Sequence, residues 1–186
     1  MQNLFIKFII FISLINLSLY ARSENDTNAV LNLKAYAVFK MGQYDEAKAI
    51  WEELAKKGNT TALINLANLY EQGNGVNKDK KEALKYIQKA ADLDDYRAQY
   101  ELGIEYEKGI YVKRDLEKAE YWLKKSCENG NSQAYLAYGI MLATAKGKGV
   151  ENITSKQKTE ALKWLKLAKQ EGESEAADYI KILEKK

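Results

Sequence analysis

Histidine is absent from the 186 residues, and with it go the commonest general base and the commonest metal ligand. The single cysteine, Cys127, leaves no internal disulfide and no zinc site of the usual Cys/His kind. No cofactor is therefore expected. Proline is missing too, so the chain is free of the strongest helix breaker, while the good helix formers Ala, Leu, Lys and Glu are abundant. A large charge excess is also lacking. The formal charge is +3, and Lys7 and Arg22 in the N-terminal segment supply two of those charges. The remainder is close to neutral with both signs interspersed, so nothing suggests the basic face a nucleic-acid binder needs and no nucleic-acid partner is expected. What is present reads as globular: 46% hydrophobic and 30% charged residues, in a chain long enough for one sizeable core. Its thirteen tyrosines suit helix packing, as large side chains with a polar tip.

Residues Leu4 to Leu19 form one mainly apolar run whose only charge is Lys7, followed by Ala21-Arg22-Ser23 with small residues where a signal peptidase reads. The pattern predicts a signal peptide over residues 1–23, cleaved after Ser23 or Ala21. The alternative is an uncleaved N-terminal helix anchored in the inner membrane, because the run is only just short of a spanning length. Either places residues 24–186 outside the cytoplasm, periplasmic or secreted. Cleavage leaves no membrane span.

Self-comparison is decisive for the fold. Ala62, Ala98 and Ala134 recur every 36 residues, as do Ala47, Ala83 and Ala119, whereas Ala161 comes 42 after Ala119. Each unit reads as two helices. The first, helix A, carries Ala62, Leu66 and Tyr70, then Ala98, Leu102 and Tyr106, then Ala134, Tyr138 and Leu142, in steps of four along one face. Beside them Ala67, Gly103 and Gly139 are small enough to let a partner helix come close. Helix B carries Ala83, Tyr86 and Ala90, then Ala119, Trp122 and Ser126, then Ala161, Trp164 and Ala168. Gly73 and Gly75, Gly109, and Gly147 and Gly149 follow helix A as helix stops. Asp79 with Glu82 reads as a capping box and Asp115 as an N-cap. A tighter turn, Gly42 to Ala47, joins a helix near Ala29–Met41 to one near Asp45–Lys57. The expected organisation is all-α, with helix pairs at about 28–59, 60–95, 96–131 and 132–172 and a capping helix at 174–184.

The run A-x3-LG-x2-Y-x2-G-x-GV, then A-x2-[YW]-x3-A, clearest from Ala62 to Ala91 with Ala67 in place of the usual glycine, resembles the Sel1-like repeat. The resemblance covers roughly Thr60 to Gly172; the pair before it, with Gly42, Tyr44 and Ala47, resembles an ordinary tetratricopeptide repeat. It implies a right-handed α-solenoid of antiparallel helix pairs whose concave face is built mostly from helix A. Such proteins are mostly adaptors, so the implied function is an exported scaffold holding a protein or peptide in the cell envelope. Asn65, Asn68, Gln99, Glu101 and Tyr135 are the candidate contacts, since asparagine and tyrosine there can pair with an extended peptide's backbone. Tyrosine platforms also keep envelope glycan open as a ligand. In the exported cysteine-rich branch, some members of which are described as penicillin-binding proteins or β-lactamases, two cysteines eight positions apart staple each repeat. Cys127 stands at the first such position, but Tyr135 occupies the second, and Ala91 and Gln99 stand there one repeat earlier.

By analogy with that branch the alternative function is a β-lactam-binding protein or β-lactamase, but the missing cysteine pair argues against it and an enzyme finds little support. Ser155-Lys156-Gln157-Lys158 matches S-x-x-K, the nucleophile motif of serine β-lactamases, which also needs a helix N-terminus, a second serine motif and a K-T-G strand. Lys158-Thr159-Glu160 fails the last, and about one such match is expected by chance. The segment reads instead as a polar loop leading into the helix of Trp164. Glu52-Glu53 and Asp92, Asp94 and Asp95 read as solvated charge on helix surfaces and turns. Cys127 aligns with Ala55 and Ala91 as a small packing residue. The long turn from Ala143 to Thr159 is either a recognition loop or a tolerated insertion.

Overall fold

The computed structural model describes residues 26–185, and every regular element among them is helical. The leader expected at 1–23 lies outside the described residues. Helix α1 covers residues 26–40. It is followed by α2 (Tyr44–Lys56), α3 (Thr60–Gln72), α4 (Lys80–Asp92), α5 (Tyr96–Lys108), α6 (Leu116–Glu128), α7 (Ser132–Ala143), α8 (Ser155–Gln170) and α9 (Glu175–Glu184). Each element from α2 to α9 packs on the next, and α9 also lies on α7. The result is a linear stack of antiparallel helix pairs in which each unit touches only its neighbours. Among the described residues no helix is long and apolar enough to cross a membrane.

The 36-residue period reappears in the caps. Asn59, Asp95 and Asn131 start α3, α5 and α7, and Asp79 and Asp115 start α4 and α6, each side chain accepting from an amide in the first turn. These bonds satisfy donors that the helix itself leaves orphaned. The capping box expected at Asp79 is only half formed. Asp79 accepts from the Lys81 and Glu82 amides, but the Glu82 carboxylate turns outward to Lys85 Nζ, 2.5 Å away. A complete box occurs instead at Thr154 and Gln157, ahead of α8. The fourth unit also differs at its helix stop. Its left-handed positions begin at Ala145 (φ 47°) and Lys146 (φ 58°), not first at Gly147. Lys146 is held there by Glu117 and Glu120 of α6, at 2.5 and 2.7 Å.

Apolar burial follows the stack in three clusters. The first joins Trp51 and Leu54 to Leu66 and Leu69; the second joins Leu63 and Ile87 to Leu102 and Trp122; the third runs from Leu123 through Tyr138 and Leu165 to Leu183. Cys127 belongs to the third cluster and is 2% exposed. Burial, reinforced by nearby Glu128, pushes its thiol far above the usual range. The folded chain is therefore expected to resist iodoacetamide at pH 8 and to label fully in concentrated guanidinium. Labelling of the folded chain at the rate of a free thiol would show that Cys127 is reachable after all.

Candidate ligand groove

A groove of about 530 Å³ opens between α1 and α3, lined by Asn28, Asn32, Asn59 and Asn65 with Tyr36 and Thr61. Its chemistry follows from how the amides are used. The Asn59 Oδ1 caps α3 by accepting from the Ala62 amide at 2.9 Å and also accepts from Asn32 Nδ2 at 3.0 Å. Asn32 Nδ2 gives its other proton to the Asn28 carbonyl at 3.2 Å. Both Asn32 donors are thus spent, which fixes the amide's orientation and leaves only its carbonyl oxygen unbonded. That oxygen, and the Oδ1 of Asn28, are buried with no hydrogen-bond partner among the described residues. Two orphaned acceptors one helical turn apart favour a ligand that carries N–H donors.

The expected contact residues are distributed unevenly. Asn65 lines this groove, and Asn68 is exposed one turn further along α3. Glu101 is exposed on α5 beside a second, narrower cleft that also holds Glu71, Lys80, Glu105 and Tyr111. Partial desolvation in that cleft raises its carboxyl, opposed by the charge of Lys80 and reinforced by Glu105. Gln99 is a correction. It is fully buried, and its amide bonds the Ala91 carbonyl, Asp94 Oδ1 and Asn129 Nδ2. Its bonds to Ala91 and Asp94 lock the second unit to the third, while Asn129, bonded to Gln99, and Ser126 and Asn131, which both donate to the Tyr96 carbonyl, tie the third unit together. Gln99 thus offers nothing to a ligand. Tyr135 is half-buried and stacks on Trp164 with ring centroids 5.5 Å apart, so much of its surface is already used.

Nothing in the repeat pattern marks Asn28, Asn32 or Asn59. The i, i+4 spacing of Asn28 and Asn32 on an expected helix is the signal that points to the first two. Asn59 is visible as a residue of cap type ahead of Thr60.

The other candidate chemistries resolve by position. Ser155 is the first residue of α8, so the S-x-x-K match is the opening turn of a helix rather than a polar loop. Ser155 is exposed, its carbonyl accepts from the Thr159 hydroxyl, and Lys158-Thr159-Glu160 is helical, where the lactamase pattern requires a strand. Asp92 and Asp94 are exposed as expected, but Asp95 is buried. It caps α5 and pairs with Arg97 at 2.8 Å. Burial opposes its ionisation, yet hydrogen bonds from Arg97, Thr60 and Ala98 prevail and lower its pKa. The long turn after α7 is shorter than expected, because part of the insertion extends the start of α8, a helix of 16 residues where α4 and α6 have 13.

Comparison with known proteins agrees with this repeat geometry. The Sel1 repeat is matched three times, at residues 60–95, 97–131 and 132–173. The Sel1-repeat-containing protein YjcO of Escherichia coli K12 is 30% identical over 135 residues, covering 69% of this chain and 57% of that protein. The chain thus aligns with little more than half the length of this relative. Among solved structures, a Sel1 repeat protein from Oxalobacter formigenes superposes with a TM-score of 0.67 at 26% identity, over 82% of this chain and 62% of that one. The protective antigen c5321 of uropathogenic Escherichia coli, which displays the same repeat fold, superposes at 0.59 with 23% identity, over 72% of this chain and 28% of its own. The chain belongs to the Sel1-repeat family.

Proposed function

We propose that the chain is an exported scaffold that holds an extended segment of another protein in the groove between α1 and α3. The two orphaned carbonyl oxygens of Asn28 and Asn32 carry this reading. The backbone of an extended peptide presents N–H groups at regular spacing, and turning a buried amide oxygen, above all that of Asn28, out to meet them would remove the cost of burying an unpaired acceptor. Asn65 and Thr61 on the facing helix add adaptable hydrogen bonding, and the exposed face of Tyr36 adds apolar contact. The apolar run at Leu4–Leu19 supports delivery to the cell envelope, where the partner would be met.

A photo-reactive residue placed at Asn65 or Asn68 is expected to give one discrete adduct in the cell envelope, and the same residue at exposed Lys89 on α4 none. A peptide from the captured protein should then bind the chain, and Asn28→Ala should weaken it about tenfold, the equivalent of one hydrogen bond of about 1.4 kcal/mol. Because the substitution removes an orphaned acceptor, thermal stability should not fall. Equal adducts from the Lys89 position, or a peptide affinity indifferent to Asn28, would sink this reading.

A further inference from the structure

Among the described residues helix α1 ends the stack, and one of its faces is open. Asp26, Val30, Leu33, Ala37 and Lys40 are all exposed, with Leu33 at 70% and Val30 at 66%. At roughly 100° per residue these five positions fall within an arc of about 80°. The arc lies opposite Ala35 and Val38, which face the core. The steps of four and three along it make a seam suited to a second helix. Met41, 67% exposed, lies just past the Lys40 end of this arc. The other end of the stack is different. There α9 buries Ala176, Ile180 and Leu183 and turns Glu175, Asp178 and Lys181 outward, with Ile182 its one large apolar side chain that is exposed. A head-to-tail contact would set Leu33 against those charges, so the open face of α1 is matched better by itself.

We propose that two copies of this chain pair α1 against α1, antiparallel, about a two-fold axis close to Leu33. The charges select this arrangement. Asp26 and Lys40 stand seven residues on either side of Leu33, so an antiparallel pair brings Asp26 of each copy to Lys40 of the other. A parallel pair would set Asp26 against Asp26 and Lys40 against Lys40. In the antiparallel pair Leu33 meets its own counterpart and Val30 lies against the small Ala37. Asn28 and Asn32 project from the other flank of α1, so the pair borders the groove along one edge only, where Leu33 lines both the groove and the seam. A single helix pair of this length buries on the order of 1,000 Å², the low end for a specific interface, so association belongs in the micromolar range.

The chain, expressed from its full sequence and purified as the cell processes it, is taken through sedimentation equilibrium from about 1 to about 500 µM. A monomer–dimer equilibrium is expected. Leu33→Asp should weaken it at least tenfold without changing helicity, or the Tm of the dilute, monomeric chain. Asp26→Lys and Lys40→Asp should each weaken it, and the double exchange should restore it. Leu33→Cys, with buried Cys127 left in place, should oxidise to a disulfide-linked dimer where Met41→Cys does not. A wild-type chain that stays monomeric throughout overturns the proposal, and so does a dimer indifferent to Leu33→Asp. A monomer whose Tm falls on Leu33→Asp overturns it in favour of residues before Asp26 covering the seam. Equal cross-linking at positions 33 and 41 overturns the antiparallel arrangement.

Discussion

Trp51→Ala is expected to destabilise the chain by about 3–5 kcal/mol, a large fraction of what a domain of this size has in hand. Trp51 is 1% exposed and sits where α1, α2 and α3 meet, its ring 5.7 Å from that of Phe39 and in one cluster with Val38, Leu54, Leu66 and Leu69. No neighbouring side chain is placed to collapse into so large a void without dragging α1 off the stack. The loss should also be local. In a stack whose units touch only their neighbours, removing the keystone of the first unit leaves the interfaces from α5 to α9 intact. Hydrogen exchange should then show protection lost across α1 and α2, reduced in α3, and kept around Leu123, Tyr138 and Leu165. Trp51→Phe provides the contrast. The indole nitrogen has no hydrogen-bond partner among the described residues, so that change forfeits no bond there and should cost only about 1–2 kcal/mol. Uniform loss of protection from α1 to α9 in Trp51→Ala would show instead that the chain unfolds as one cooperative unit.

The contrast between fold and groove lies in how repetition marks residues. Alanines at 62, 98 and 134 recur because the same helix-to-helix contact recurs, so the period of 36 is legible in the amino-acid sequence alone and matches the starts of α3, α5 and α7. The groove carries no such mark. Asn28 and Asn32 occur once, in a first unit whose turn after helix A is shorter than the others, and asparagines on a helix surface look like ordinary solvated residues. Their meaning depends on Asn59 reaching across from another helix to use up the Asn32 donors, a tertiary event. Gln99 misleads for the opposite reason. Its equivalents Leu63 and Tyr135 differ from it in chemistry, which suggests individual use. In the structure its individuality serves a contact between units, made possible because Asp94, Asn129 and Asn131 stand in the adjoining turns. The insertion between α7 and α8 is legible as a change of period, but not as extra helix. The cue to that helix is the Thr154-x-x-Gln157 pattern, which competes with the overlapping S-x-x-K match.

Gly103→Ala should cost about 1–2 kcal/mol even though alanine is the better helix former by about 1 kcal/mol. A Cβ at position 103 would lie 2.8 Å from Leu123 Cγ and 3.1 Å from the Leu123 backbone nitrogen, so α6 must retreat from α5 or Leu123 must leave its rotamer. Gly139 meets Leu165 in the same way, at 2.7 and 3.3 Å. The preceding unit shows how the conflict can be resolved. There the corresponding pair is Ala67 and Ile87, both in one buried cluster, and the Cβ of Ala67 is accommodated where the partner is branched at Cβ rather than Cγ. Moving the branch one carbon closer to the backbone takes the crowding methyls away from the point of closest approach. Leu123→Ile alone should therefore be mildly destabilising, through imperfect filling of the space against Gly103. Combined with Gly103→Ala, it should recover at least about 1 kcal/mol relative to the sum of the single changes, which denaturant melts of the four proteins in a double-mutant cycle would measure. Strict additivity would mean that the glycine is kept for the backbone contact with α6 and not for the leucine side chain. In that case Gly103→Ala would widen the helix pair whichever branched residue stands at position 123.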